Sequence, residues 1–259
     1  MKTNTLLAWA VLALLPGCVT ETTYIGNNTS RAAQSVDAVA AAKTRVELAV
    51  GYMKKGDLSQ ARFNLDKALS LDPHNADAYL TLAYYYQKVG DIKSADATYR
   101  KLLSLHSSDA NAMNNYGVFL CKQKRYDDAE RQFLKAVTQP DYVDMDDTYE
   151  NAGYCASVAG NKDKALQYYD QAVRYNPRKG RAWLAKTSLE LDANRREAAG
   201  VSLSRYAQLG LPETAESLWL RLRLAQELGE LAQLHKFGGE LVRRFPDSAQ
   251  AKRYINNDY

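Results

Sequence analysis

Much of the chain follows a helical pattern of hydrophobic and polar positions, and short polar turns interrupt this pattern at regular intervals. Turn dipeptides occur at Gly56-Asp57, Gly90-Asp91 and Gly160-Asn161, and the first two begin 34 residues apart. Arg125-Tyr126 fills the equivalent turn between the second and the third. A fixed period of this length predicts a series of similar helix pairs.

Small residues recur at constant distances from these turns. Before the turns they are Ala49, Ala83, Gly117 and Gly153, and after the turns they are Ala61, Ala95, Ala129 and Ala165. Two helices can approach closely only where small side chains lie at their crossing, and larger side chains then fill the gaps towards the next pair. This packing accounts for the unusual count of 18 Tyr against 5 Phe.

The unit that these positions define resembles the tetratricopeptide repeat (TPR), a helix–turn–helix motif. The resemblance implies an all-α fold, a superhelical array of about six repeats that bury their apolar faces against one another. We place the array at 34–259, with an N-terminal cap in Arg31–Thr44 and a C-terminal capping helix in Ser248–Tyr254. The repeats are expected near 42–75, 76–109, 110–145, 146–179, 180–214 and 215–248.

The N-terminus has the layout of an export signal. Lys2 precedes a short apolar run, Leu6–Leu15, which is too short to cross a bilayer as a helix. Leu15-Pro16-Gly17-Cys18 then resembles the processing site of bacterial lipoproteins. The resemblance implies that residues 1–17 are removed, that Cys18 is acylated and that residues 18–33 form a flexible tether. The alternative is an ordinary cleavable signal in which Cys18 is coincidental.

The residue after Cys18, Val19, indicates which membrane would hold the lipid anchor. In the lipoprotein family, an aspartate directly after the acylated cysteine retains the protein in the inner membrane. Val19 stands at that position here, so the resemblance implies a lipid anchor in the outer membrane, on its periplasmic face.

Composition argues against several classes of function. Lys and Arg total 34 against 30 Asp and Glu, a net charge of +4 without a dense basic run, so no nucleic-acid partner is predicted. The chain has three His and neither a HExxH motif nor a glycine-rich phosphate loop. We therefore predict no catalytic residues, no cofactor and no metal site.

The TPR resemblance also indicates where a partner would bind. In this family, most ligand contacts come from the first helix of each repeat, which lines a concave groove. The matching positions in the first two repeats include five apolar residues: Val46, Val50, Met53, Leu80 and Tyr84. A contiguous apolar patch of this kind predicts a partner site for an amphipathic helix or an extended apolar segment. Two alternatives stay open: the N-terminal helix covers the patch, or the repeat frame is displaced by one residue.

Two cysteines follow Cys18. Cys121 and Cys155 fall on the first helices of the third and fourth repeats, which pack side by side in a TPR array. In an oxidising compartment they could form a disulfide, provided that their Cα atoms lie within about 7 Å. The alternative is a pair of reduced cysteines in the core.

The combination of a lipoprotein signal with about six TPRs resembles the type IV pilus biogenesis and stability lipoproteins of the PilF/PilW type. The match includes the Gly-Asp-Leu and Gly-Asp-Ile turns and the segments Asn114–Cys121 and Glu150–Cys155. The resemblance implies a pilotin, which helps subunits of the outer-membrane secretin to reach the membrane and multimerise, and which twitching motility requires. We also expect a membrane contact through the lipid and a monomer in the free state. The alternative is a periplasmic TPR scaffold lipoprotein for cell-wall enzymes or outer-membrane protein assembly.

Overall fold

The computed structural model describes the backbone of residues 29–259 and the side chains of residues 37–259. That part of the chain contains thirteen α-helices and no strand, so the predicted all-α fold is confirmed. The helices are α1 (Thr29–Lys55), α2 (Leu58–Leu71), α3 (Ala76–Lys88), α4 (Ile92–Leu105), α5 (Ala110–Lys122), α6 (Tyr126–Val137), α7 (Met145–Val158), α8 (Lys162–Tyr175), α9 (Gly180–Asp192), α10 (Arg196–Gln208), α11 (Ala215–Leu228), α12 (Leu231–Arg244) and α13 (Ala249–Ile255).

The first twelve helices form six consecutive pairs. Within each pair the two helices pack against each other across a short turn, and the second helix then packs on the first helix of the next pair. The first helices of neighbouring pairs also touch, as α1 touches α3 and α5 touches α7. The described chain is therefore an array of about six repeats, as predicted, and its first helices line one side.

The turns inside the repeats follow from their glycine and aspartate residues. Gly56 and Gly90 adopt φ of +82° and +77°, a left-handed conformation that a residue without Cβ adopts readily. Asp57 and Asp91 then cap the next helix, because their carboxylates accept hydrogen bonds from backbone N–H groups in its first turn. The dipeptide thus ends one helix and starts the next.

The turn between α5 and α6 lies one residue before the predicted position, Arg125-Tyr126. Lys124 adopts the left-handed conformation there, with φ of +60°, and Arg125 is the N-cap. Lys124 is 34 residues after Gly90, so the backbone geometry repeats although the glycine does not. Lysine, unlike glycine, is not typical of left-handed backbone, so the sequence gives no sign of the turn at this residue. The pattern therefore misplaced the turn.

Both ends of the array carry additional helix. α1 extends without a break from Thr29, so it contains the predicted cap, and residues 29–33 of the predicted tether are helical. At the other end, the predicted capping helix is confirmed as α13, which packs on α11 and α12. The predicted signal, Cys18 and the tether as far as residue 28 lie outside the described residues.

Candidate partner-binding groove

A groove runs along the inner side of the first three repeats. It contains a cavity of about 380 Å³ between α1, α3 and α5, with α4 behind it. Apolar and aromatic side chains make up half of its lining: Val50, Met53, Leu80, Tyr84, Tyr99 and Val118. A cavity of this size and character suits the apolar face of a peptide.

Four of the five predicted contact residues line this cavity. Val50 and Leu80 are half-buried in its wall, and Tyr84 is 52% exposed at its edge. Met53 is only 3% exposed and forms part of the floor. A ligand could therefore contact Val50, Leu80 and Tyr84 directly, whereas Met53 mainly supports them.

Val46 is the exception, and its predicted role as a contact residue is wrong. It is 7% exposed and packs in a core cluster with Ala42, Ala68 and Ala78. Helical residues advance by about 100° each, so residues 42, 46, 49 and 53 share a stripe that faces the neighbouring helices. Val50 lies at the edge of that stripe, on the side of the groove.

Sequence reasoning missed several lining residues, among them Thr81, Tyr99 and Asn115. Tyr99 lies on α4, a second helix of its pair, whereas the contact positions that the TPR resemblance implies lie on first helices. Its hydroxyl accepts a hydrogen bond from Nε2 of Gln87 at 2.9 Å. Burial raises the pKa of Tyr99 to about 12, although the bond from Gln87 acts in the opposite direction, so the phenol is neutral at physiological pH.

The polar part of the lining is basic. Lys54, Lys88 and Lys122 stand in the last turns of α1, α3 and α5, and all three line the cavity. Nζ of Lys88 donates a hydrogen bond to the backbone oxygen of Met53 at 3.1 Å, which ties the second repeat to the end of α1. The groove therefore combines an apolar floor with positive charge.

A second cavity of about 230 Å³ continues the groove into the fourth repeat. It shares Val118 and Lys122 with the first cavity and adds Tyr154 and Val158 from α7. Tyr154 is 61% exposed and Val158 is 48% exposed, so this stretch also offers apolar surface to a ligand.

Cys121 and Cys155 lie beside this second cavity. Their sulfur atoms form a disulfide between α5 and α7, and their Cα atoms are 5.8 Å apart, within the range that a disulfide requires. Both residues are buried, and Cys121 contributes to the cavity wall. The bond thus ties together the two helices that carry this part of the groove.

Beyond the disulfide the inner surface changes character. Glu150 of α7 is 6% exposed and receives Nη2 of Arg181 at 2.6 Å, with Nζ of Lys179 at 3.8 Å from its other oxygen. Burial raises the pKa of Glu150, against the opposing effects of Arg181 and Lys179. Here acidic and basic groups pair with each other within the chain.

The side chains described in 37–259 contain no group of His, Cys, Asp and Glu that could hold a metal ion. In the same part of the chain, no helix is sufficiently long and apolar to cross a membrane.

Comparison with known families agrees with the helix pairs. One tetratricopeptide repeat model matches residues 52–106, and a second matches residues 80–142 and 156–210. The chain is a TPR protein, a class whose fold is typical of protein-interaction scaffolds.

Individual relatives narrow this class. The type IV pilus assembly protein PilF of Pseudomonas aeruginosa is 30% identical over 209 residues, which cover 81% of this chain and 82% of PilF. The solved structure of P. aeruginosa PilF superposes with a TM-score of 0.73 and 30% identity, covering 85% of this chain and 99% of that one. The structure of PilW, described as a widely conserved type IV pilus biogenesis factor, gives a TM-score of 0.72 and 26% identity, with 83% and 98% covered. The chain belongs to the PilF/PilW family of type IV pilus biogenesis TPR proteins.

Proposed function

We propose that this protein is a pilotin of the type IV pilus system, anchored by a lipid in the outer membrane on its periplasmic face. Its groove would hold a segment of a secretin subunit and deliver that subunit for assembly into the pore. The observation that carries the proposal is the apolar groove of the first three repeats in a member of the PilF/PilW family.

The groove supports the binding step. Val50, Leu80, Tyr84 and Val118 line the cavity as an apolar wall, and Leu80 and Val118 also pack against the core cluster behind it. Burial of such surface favours a complex by about 25 cal/mol per Å², and the costs of association offset part of this gain. Binding of this kind needs no covalent chemistry.

The lipid supports the delivery step. Acyl chains on Cys18 would contribute roughly 0.8 kcal/mol of membrane affinity per buried CH₂. A tethered carrier raises the effective concentration of its cargo near the membrane and so favours multimerisation there. Anchor and groove would therefore act together, although they lie at different places in the chain.

The test uses a deletion strain complemented with variants of the gene. Leu80→Asp puts a charge in the wall of the groove and is expected to abolish secretin multimers on immunoblots and twitching motility. Leu134→Asp is the matched control, because Leu134 is a 40% exposed leucine of α6 that does not line the two cavities. Circular dichroism of both purified variants checks that the repeats remain folded.

Two results would contradict the proposal. Normal secretin multimers in the Leu80→Asp strain would show that the groove does not serve assembly. Intact pili in the deletion strain, together with septation or porin defects, would favour a scaffold for cell-wall enzymes or outer-membrane protein assembly.

The anchor has its own test. Cys18→Ala is expected to release the protein from the outer-membrane fraction and to move secretin monomers with it. An unchanged distribution on membrane fractionation would contradict the anchor while leaving the groove in place.

A further inference from the structure

The lysines of the groove occupy one repeated position. Lys54, Lys88 and Lys122 are spaced by 34 residues and stand at the C-terminal ends of three successive first helices. Lys124 adds a fourth ammonium group in the second cavity. No aspartate or glutamate of the described chain lines either cavity, so the charge along this stretch has one sign.

A helix dipole alone does not explain this row. A positive charge near a helix C-terminus is favourable, and this would account for one lysine at any such end. However, α7, α9 and α11, the first helices of the later repeats, have no basic residue in their last turns. The row is therefore confined to the repeats that form the apolar groove.

Within the described residues, these lysines make no ion pair, although Lys88 donates a hydrogen bond to the backbone oxygen of Met53. The salt bridges there include none made by Lys54, Lys88, Lys122 or Lys124. In the fourth repeat, by contrast, Glu150 is paired with Arg181. Charges that the fold leaves uncompensated beside an apolar wall are available to a partner of opposite sign.

We infer that the groove of repeats one to three recognises an acidic amphipathic segment of its partner. The apolar face of the segment would lie on Val50, Leu80 and Val118, and carboxylates along its flank would meet the row of lysines. This inference rests on the proposed function and adds to it the chemistry of the secretin segment. Because the lysines are at the edge of the groove, they would set selectivity and association rate more than total affinity.

The test compares two synthetic peptides on the purified protein. Both have Leu and Phe at the spacing of one helix face, and they differ only in carrying Glu or Gln at the flanking positions. Fluorescence anisotropy is expected to show about tenfold tighter binding of the Glu peptide at low salt, from three exposed charge pairs together. The preference should largely disappear at about 0.5 M salt, because exposed charges are then screened.

A variant with Lys54, Lys88 and Lys122 all changed to Gln should bind the two peptides equally. Its matched control changes Lys93, Lys101 and Lys135 to Gln, which removes the same charge from exposed lysines of α4 and α6. That control should retain the preference for the Glu peptide.

Equal affinity of the wild-type protein for the two peptides would overturn the inference, and so would a lack of binding by both. Retention of the preference in the groove variant would also overturn it. These outcomes are separate from the fate of the proposed function, because Leu80→Asp tests apolar docking in secretin assembly without changing any lysine.

Discussion

Gly117 of α5 lies against the ring of Phe133 of α6, and a Cβ atom at Gly117 would be 2.6 Å from Cε1 of that ring. Phe133 is 1% exposed, so its ring cannot swing out to solvent. Gly153 and Tyr169 have the same relationship in the fourth repeat, with a distance of 2.9 Å. In these two repeats, the glycine of the first helix therefore leaves room for the aromatic ring of the second helix to pack against its backbone.

This contact predicts whether alanine in place of a helical glycine raises or lowers the free energy of unfolding. Gly117→Ala is expected to lower the free energy of unfolding by about 1–3 kcal/mol, because the methyl group overpacks a closed core. Gly51→Ala is the control: Gly51 is in the interior of α1, and a Cβ there would meet nothing within 4 Å. That change should raise stability by about 0.5–1 kcal/mol, since alanine favours helix. Urea unfolding of both variants measures the difference, and equal effects would contradict the packing argument.

The two neighbouring valines of α1 should respond differently to truncation. Val46→Ala is expected to cost about 2 kcal/mol, because Val46 is 7% exposed within a core cluster. Val50→Ala should cost less than about 1 kcal/mol, because Val50 is half-buried at the groove. Thermal unfolding checks the stabilities. A larger loss for Val50 than for Val46 would contradict the assignment of Val46 to the core.

The disulfide is expected to stabilise the third and fourth repeats. Cys121 and Cys155 are 34 residues apart. A cross-link that closes a loop of this length lowers the entropy of the unfolded chain, which stabilises the folded protein by about 3–4 kcal/mol. Replacing both cysteines by Ala should therefore lower stability by roughly that amount. Dithiothreitol should destabilise the wild-type protein but not the double variant. If the reductant has no effect on the wild type, the two thiols are reduced in the purified protein.

Glu150 predicts a dependence of stability on pH. Burial raises its pKa above the ordinary value of 4.5, so the folded protein binds this proton more tightly than the unfolded chain does. The corresponding stability is present below pH 4.5 and is lost as the pH rises through the higher folded value. Glu150→Gln keeps the shape and removes the titration, so its unfolding free energy should fall less over this range than that of the wild type.

Denaturant unfolding between about pH 4 and pH 7.5 measures this effect. Glu47→Gln, which removes a carboxylate from the exposed surface of α1, is the control for the loss of one negative charge. At pH 7 the Glu150→Gln variant should be at least as stable as the wild type, even though Arg181 loses its ionised partner. Parallel profiles for Glu150→Gln and the wild type would contradict the prediction.

Local chemistry made much of the fold predictable. Glycine and aspartate at positions 56 and 57 mark a turn wherever they fall between two helical patterns, because one permits left-handed backbone and the other caps a helix. The recurrence of the pair 34 residues later then indicates a repeat. Where Lys124 takes the place of the glycine, this local signal is missing, and the predicted turn was displaced by one residue.

The candidate groove was less predictable than the fold, because its lining depends on how helices from different repeats pack. The period, the small residues at the crossings and the choice of first helices as the inner wall could be predicted from the sequence, because these follow from helix geometry and side-chain size. Packing between helices settled that Val46 faces the core and that Tyr99 reaches the groove from a second helix. It also settled that no acidic residue of the described chain lines the cavity beside Lys54, Lys88 and Lys122. Such facts depend on the angles at which helices distant in the chain cross, and no pattern within a single helix records those angles.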